Sequence, residues 1–391
     1  MIGLILALAC SESTPAPGDD DSGDLVTVPG DLPPLTSNGI DADLLFFLTP
    51  RDYSGAYPPS GYGDYLLVVD GLGQPVWWKQ TGGLAFDFRP AADGSWSANM
   101  VLDGSLSREA VRLEPYSGEV LDRWPAPGLD EWDEVVADPH ELVIRADGSR
   151  VQSIAGYGDM DLSAIGGDPA GRAHHSGVLE VGPSAVPVAT WSTEGQIDLA
   201  LLPEDVLASE PNEGPWRYGH VNCIDPLDDG WLVSLRSPGE ILRIVGDSGE
   251  VLWRLGGARS DFTFVDDPRG GFFGQHSARW VAPDRVLLFD NGTNMGSAPT
   301  GDVRVVEYQL DEVSRTAKLV FTYVLDGAGG TEFAGSVQRL ADGRTVVGFG
   351  STQLLESGAR APSVLVLDPA GLPTSELALP EGMYSYRVWA H

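Results

Sequence analysis

The chain has 391 residues, 42 % hydrophobic and 9 % aromatic, enough for a packed core, and its 49 glycines and 29 prolines point to many turns between short elements. A formal net charge of −33 excludes the phosphate backbone of nucleic acids as a partner and electrostatic docking on anionic lipid. Small anionic substrates stay open, because one arginine in a cleft can reverse the local field.

Residues 1–10, MIGLILALAC, form a short apolar run ending in Cys10. The run resembles a bacterial lipoprotein signal in which Cys10 becomes the lipidated first residue, although no basic residue precedes it and Ala7 stands where Leu is usual. It is far too short to span a bilayer. The expected location is therefore the bacterial cell envelope, periplasmic or anchored at the outer membrane, with the lipid as the only membrane contact. Cys223 then has no disulfide partner and reads as a small buried strand residue. Residues 11–37 are acidic and rich in Ser, Pro and Gly, the composition of a disordered tether. Residues 38–391 read as one domain.

From Asp41 onward a pattern recurs about every 50–60 residues, the period of propeller blades. Each unit has a strand, an Asp-Gly-type turn, an apolar strand, a linker, and a third and fourth strand joined by another Gly turn. First turns fall at Asp93-Gly94, Asp147-Gly148, Asp229-Gly230, Pro283-Asp284 and Asp342-Gly343. Later turns lie in YSGEVLDRW, DSGEVLWRL and DPAGLPTSEL. Units start near Leu44, Ala85, Asp138, Gly219, Gly274 and Ala334, which predicts an all-β, six-bladed β-propeller. The leftover strand YSYRVWAH, 384–391, completes the first blade and closes the ring. Inserts at 156–171 and 291–302 read as loops over one mouth, and 197–208 is a short helical candidate.

The innermost strand of each blade lines the axis, so equivalent positions of successive blades meet there. His140 (DPHE), His220 (GHVN) and His276 (GQHS) each fall at the head of such a strand. In the hairpin 219–236, His220 and Asn222 share one face of an extended strand and Arg236 ends its partner. A neutral ring, an amide and a permanent cation together suit an anionic group. Three histidines are also a possible zinc set, with Glu141 the one acid near them. His174-His175 read as a solvated pair, Ser336 and Gln338 as channel-lining candidates, Trp253 as packing between blades, and Asp290-Asn291-Gly292 as a turn or a brace behind the His276 strand. A non-catalytic propeller binding a ligand or protein at the same mouth is the rival reading; a quinoprotein-type enzyme ranks third, lacking a cofactor-stacking signature.

DPHELVIRADG, GHVNCIDPLDDGWLVSLR, GEVLWRLGG, GQHSARWVAPDRVLLFDNG and GSVQRLADGRTVVGFG occur in this order over 137–350. They resemble the bacterial arylsulfotransferase family, propeller enzymes that move a sulfuryl group between phenols without a nucleotide sulfate donor. The resemblance implies that His276 is the histidine that becomes sulfated. It implies too that His140, His220, Asn222 and Arg236 hold the sulfuryl oxygens and the phenolic oxygen, and that the substrates are small aryl sulfates and phenols; no cofactor is expected, and an arginine beside the histidines disfavours a metal there. The chain departs from the family pattern in passing from tether almost directly into blades, without a separate β-sandwich domain, and in lacking a cysteine pair near the nucleophile. Substrate range and dimerisation are the properties those departures affect.

Overall fold

The computed structural model describes residues 27–391 except Ile40, 53–59, 103–107, 125–132, 205–206, 208–217, 294–298 and Gln353. Cys10 and the signal-like run lie outside the described residues. Six sheets, antiparallel except for the short edge strand Thr263–Val265 that pairs in parallel with Thr316–Val324, follow one another around an axis as the blades of a propeller. Their innermost strands are Met383–Ala390, Gly83–Pro90, Asp133–Ile144, Val221–Leu227, His276–Ala282 and Ser336–Arg339, for blades one to six in turn.

Sequence pattern and layer agree. Strands sandwiched between neighbouring blades are buried on both faces, so they read as continuous apolar runs; GWLVSL at Gly230–Leu235 and EILRIV at Glu240–Val245 are examples. Outer strands alternate, as in Thr316–Val324, because one face meets water. Cores form between blades. Leu232, Ile241 and Trp253 of blade four pack against Val286, Leu288, Val306 and Tyr308 of blade five. Each such side chain removed from water contributes about 1.5–3 kcal/mol. Trp253 is buried and edge-on to Phe262, which bears out its packing role.

The Asp-Gly turns recur as expected. Asp93, Asp147 and Asp342 each accept a hydrogen bond from the backbone N–H two residues on, and the Gly between sits at positive φ. Ring closure is as expected at one seam and richer at another. Met383–Ala390 pairs with Leu45–Asp52 and becomes the innermost strand of blade one. In addition, Thr36–Asn38 pairs with Pro373–Ala378 at the outer edge of blade six, and Leu32 and Leu35 are buried in the core between blades six and one. Residues 27–37, read as the end of the tether, are therefore part of the fold.

Other expectations shift. Strand Arg150–Met160 and strand Gly171–Val181 take up both ends of the insert read as 156–171, leaving only a short turn with one 3-10 segment, Ser163–Ile165. The helical candidate at 197–208 contains a single 3-10 turn, Leu199–Leu201. His174 and His175 lie on the third strand of blade three and are 6 % and 3 % exposed, so they are not a solvated pair. Residues 294–298 of the second insert lie outside the described residues.

Candidate active site

Five of the six innermost strands carry a bulge in their pairing with the next strand, between Leu48 and Pro50, Ala85 and Phe88, Gln152 and Ile154, Val221 and Cys223, and His276 and Arg279. In blades one to three the extra residues fall in the stretches that bear Tyr386, Phe86 and His140. A bulge lets neighbouring side chains both turn toward the axis, which a strict two-residue period forbids.

His276 opens the inner strand of blade five, is 1 % exposed, and is followed by Ser277 at φ 52°. Its Nδ1 lies 2.8 Å from Asn291 Oδ1 and 3.0 Å from Gly274 O. Asn291 Nδ2 donates to Ala334 O at 2.9 Å, so its oxygen must face the ring. Both neighbours of Nδ1 are acceptors. Nδ1 therefore carries the hydrogen, and Nε2 keeps its lone pair. Gly292 makes the sharp turn beyond Asn291 at φ 65°, where a Cβ would come within 2.4 Å of Gly301 O. The turn read as a possible brace is thus a direct partner of the histidine ring. Burial, then the charge of Arg236, holds the His276 pKa well below its ordinary value.

His140 sits inside its strand, not at its head. Residues 138–141 loop out of the ladder, and the Ser153 hydroxyl donates to Asp138 O and accepts from Glu141 N. This bulge brings the Asp138 carboxylate against His140 Nδ1, so that Nε2 is the ring atom open to proton exchange. Burial opposes ionisation of Asp138, yet the His140 charge and hydrogen bond hold its pKa below the carboxylate range. Asp138 escaped sequence reading, although the spacing Asp-Pro-His could have signalled it. Glu141, the acid considered there, belongs to another network.

His220 immediately precedes its strand at φ 49°, outside the extended conformation expected of it. Its ring lies 4.8 Å from that of His140, and its carbonyl accepts from Arg236 N at 3.0 Å. The Arg236 guanidinium reaches blade six, donating to Glu332 O. Asn222 is the extra residue of its bulge, so the strict alternation expected to put it on His220's face is interrupted. Fully buried, it donates through Nδ2 to Gln275 O at 2.7 Å, the carbonyl just before His276. Ser336 and Gln338 bond to Val388 O and Ala390 O and stitch blade six to the closing strand.

Sequence reading also missed the opposite wall. Tyr386 of the closing strand is 3 % exposed, with its ring 5.5 Å from His140, 6.2 Å from His276 and 5.2 Å from Phe86. Phe86 lies 6.0 Å from His140, and Phe333 lies 5.6 Å from Tyr384. Beneath the histidines the axis is filled. Glu141 is bonded to Arg89 at 2.6 Å, Arg387 at 2.9 Å and Arg279 at 3.0 Å, with Asp87 3.2 Å from Arg89 and all five side chains nearly or fully buried. Cys223 lies beside this cluster, fully buried, its thiol pushed up to about 12 by burial, and it makes no disulfide among the described residues. Among the described residues no group of three or more His, Cys, Asp or Glu is placed to hold a metal ion.

The family model "Arylsulfotransferase (ASST)" matches residues 130–364, more than half of the chain. No curated protein matches the chain in sequence. Similar solved structures include a hypothetical selenium-binding protein from Sulfolobus tokodaii, 11 % identical with a TM-score of 0.43 over 85 % of this chain and 77 % of that one. A protein from Lactobacillus plantarum is 11 % identical with a TM-score of 0.42 over 89 % and 99 %. Apo AztD from Citrobacter koseri is 13 % identical with a TM-score of 0.35 over 89 % and 98 %. Likenesses this distant say nothing about chemistry.

Proposed function

The chain belongs to the arylsulfotransferase family, and from that premise we propose that it carries a sulfuryl group from an aryl sulfate to a phenol through a sulfohistidine at His276, without a nucleotide donor. The observation that carries this reading is the fixed tautomer of His276, with Nδ1–H held by Asn291 and Gly274. Nε2 of a neutral imidazole is a competent nucleophile, and burial with Arg236 keeps the ring neutral near pH 7.

In the first half-reaction Nε2 forms a bond to sulfur as the bond from sulfur to the aryl oxygen breaks. His140, oriented by Asp138, gives its Nε2 proton to the departing oxygen. In the second half-reaction an incoming phenol returns a proton to that nitrogen while its oxygen displaces His276 from sulfur. The transition state is loose, with charge on three equatorial oxygens, so positioning and fixed positive groups dominate. Arg236 supplies the cation, and Asn222 steadies the peptide that carries the nucleophile. His220 lies against His140 and is the second ring able to meet the phenolic oxygen. The reading includes export to the cell envelope with a lipid anchor at Cys10.

Intact-protein mass after brief incubation with 4-nitrophenyl sulfate, without acceptor and with chelator at neutral to alkaline pH, tests the mechanism. The expected result is one added sulfuryl group on the wild type, none on His276→Ala, and loss of the adduct when phenol is supplied. Absence of both adduct and phenolate release across several aryl sulfates supports the ligand-binding propeller instead. Release only without chelator would mean that the histidines hold a metal.

A further inference from the structure

Arg51 lies at the end of the second strand of blade one, outside the residues matched by the family model. It is 8 % exposed. Its Nε donates to the Tyr384 hydroxyl at 2.7 Å, and Cζ stands 4.3 Å above the Phe86 ring and 4.8 Å from that of Tyr384. The guanidinium plane is thereby fixed. Nη1, however, is shut off from solvent and makes no hydrogen bond, and Arg51 forms no ion pair among the described residues. Asp64 and Asp52 are the nearby carboxylates, and they act on this region only at longer range. Burying a cationic donor without a partner costs free energy, so an unpaired one at a site wall marks a place for an anion.

One ring separates this cation from the chemistry, since Phe86 touches both Arg51 and, at 6.0 Å, the His140 ring. Tyr386 flanks the same space with a buried hydroxyl that also makes no hydrogen bond among the described residues. A single aryl ring laid along Phe86 and Tyr386, with its oxygen at His140, directs a para substituent toward Arg51.

We propose that the site selects phenols and aryl sulfates bearing a second, carboxylate substituent, recognised by Arg51 with Tyr384 and Phe86 as its supports. The inference rests on the sulfotransferase reading for the word substrate, but its test does not. Calorimetric titration would compare 4-hydroxyphenylacetate with the neutral 4-hydroxyphenylacetamide on wild type, Arg51→Gln and Arg51→Lys. The wild type should bind the carboxylate about 10–100-fold more tightly, the worth of a charge-assisted hydrogen bond. Arg51→Gln should erase that ratio, and Arg51→Lys, which keeps the charge without the fork, should retain part of it. Equal binding of the two ligands by wild type overturns the proposal whether or not the variants fold, as does a ratio unchanged in folded Arg51→Gln. Failure of sulfuryl transfer in the mass experiment, with this ratio intact, would instead leave a carboxylate-phenol binding site and remove the enzyme reading.

Discussion

Asn291 decides what His276 can do. An amide oxygen 2.8 Å from Nδ1 fixes the tautomer without adding charge, whereas a carboxylate there would favour the imidazolium. In the wild type the ring is neutral until well below its ordinary pKa, so the rate of sulfation in a single turnover should stay flat as pH falls through about 6.5. Asn291→Asp raises the His276 pKa, and protonation removes the attacking lone pair as pH falls. Stopped-flow release of 4-nitrophenolate should therefore drop roughly 10-fold between pH 8 and pH 6 in this variant alone; parallel profiles would show that Asn291 does not set the protonation state. The same scale marks what was legible. The three histidines stood out because blade spacing aligned them, and Arg236 because it ends the returning strand of the hairpin that follows His220. The contact between Asn222 and Gln275 O was not legible, since the one-residue bulge that directs the amide there leaves no trace in the sequence. Tyr386 and Arg51 went unseen because the strands that bear them, LFFLTPRD and MYSYRVWA, carry no motif.

At the scale of strands, the repeated device is the bulge. The hairpins were readable from Asp-Gly turns and apolar runs, and their starts fell within a few residues of the observed strands. Bulges leave no such mark, since one extra residue changes neither composition nor average period. Yet three of them place one side chain beside the histidines and its neighbour in the deeper cluster: Tyr386 and Arg387, Phe86 and Asp87, His140 and Glu141. The deeper set links the innermost strands of blades one, two, three and five through Glu141, and Ile224 N of blade four donates to it at 3.2 Å. Burial opposes the Glu141 charge, but Arg279, Arg387 and Arg89 outweigh it and hold its pKa far below the carboxylate range. This stabilisation is present above the ordinary carboxylate pKa and is lost only as pH falls through the depressed folded value. Glu141→Gln leaves three buried guanidiniums under-compensated and should cost about 3–5 kcal/mol at pH 7, read as a lower urea midpoint. A loss under 1 kcal/mol would mean that the arginines find water or other partners.

For the whole molecule, the ring is tied at both ends of the described chain, by the innermost strand of blade one and by the outer edge strand of blade six. The second tie was invisible in sequence because three polar residues, Thr36–Asn38, carry no strand signal. It places the start of the fold, and hence any tether, at the outer rim and away from the axis. An anchor at Cys10 would then hold the propeller by its edge and leave the site unobstructed. Detergent phase partition of the full chain expressed in a bacterium should put the wild type in the detergent phase and Cys10→Ala in the aqueous phase; an aqueous wild type would remove the anchor.

The filled axis has one more consequence. A propeller with an open bore could pass a donor in at one face and a product out at the other, but here buried ion pairs around Glu141 join the innermost strands of blades one, two, three and five, the arrangement of a cul-de-sac on the proposed reading. Whatever enters must back out by the same door before the next guest can come in, and two aryl rings need never meet. On the proposed mechanism, the sulfuryl group left on His276 between visits is what such a single-ended chamber passes between two molecules that never share it.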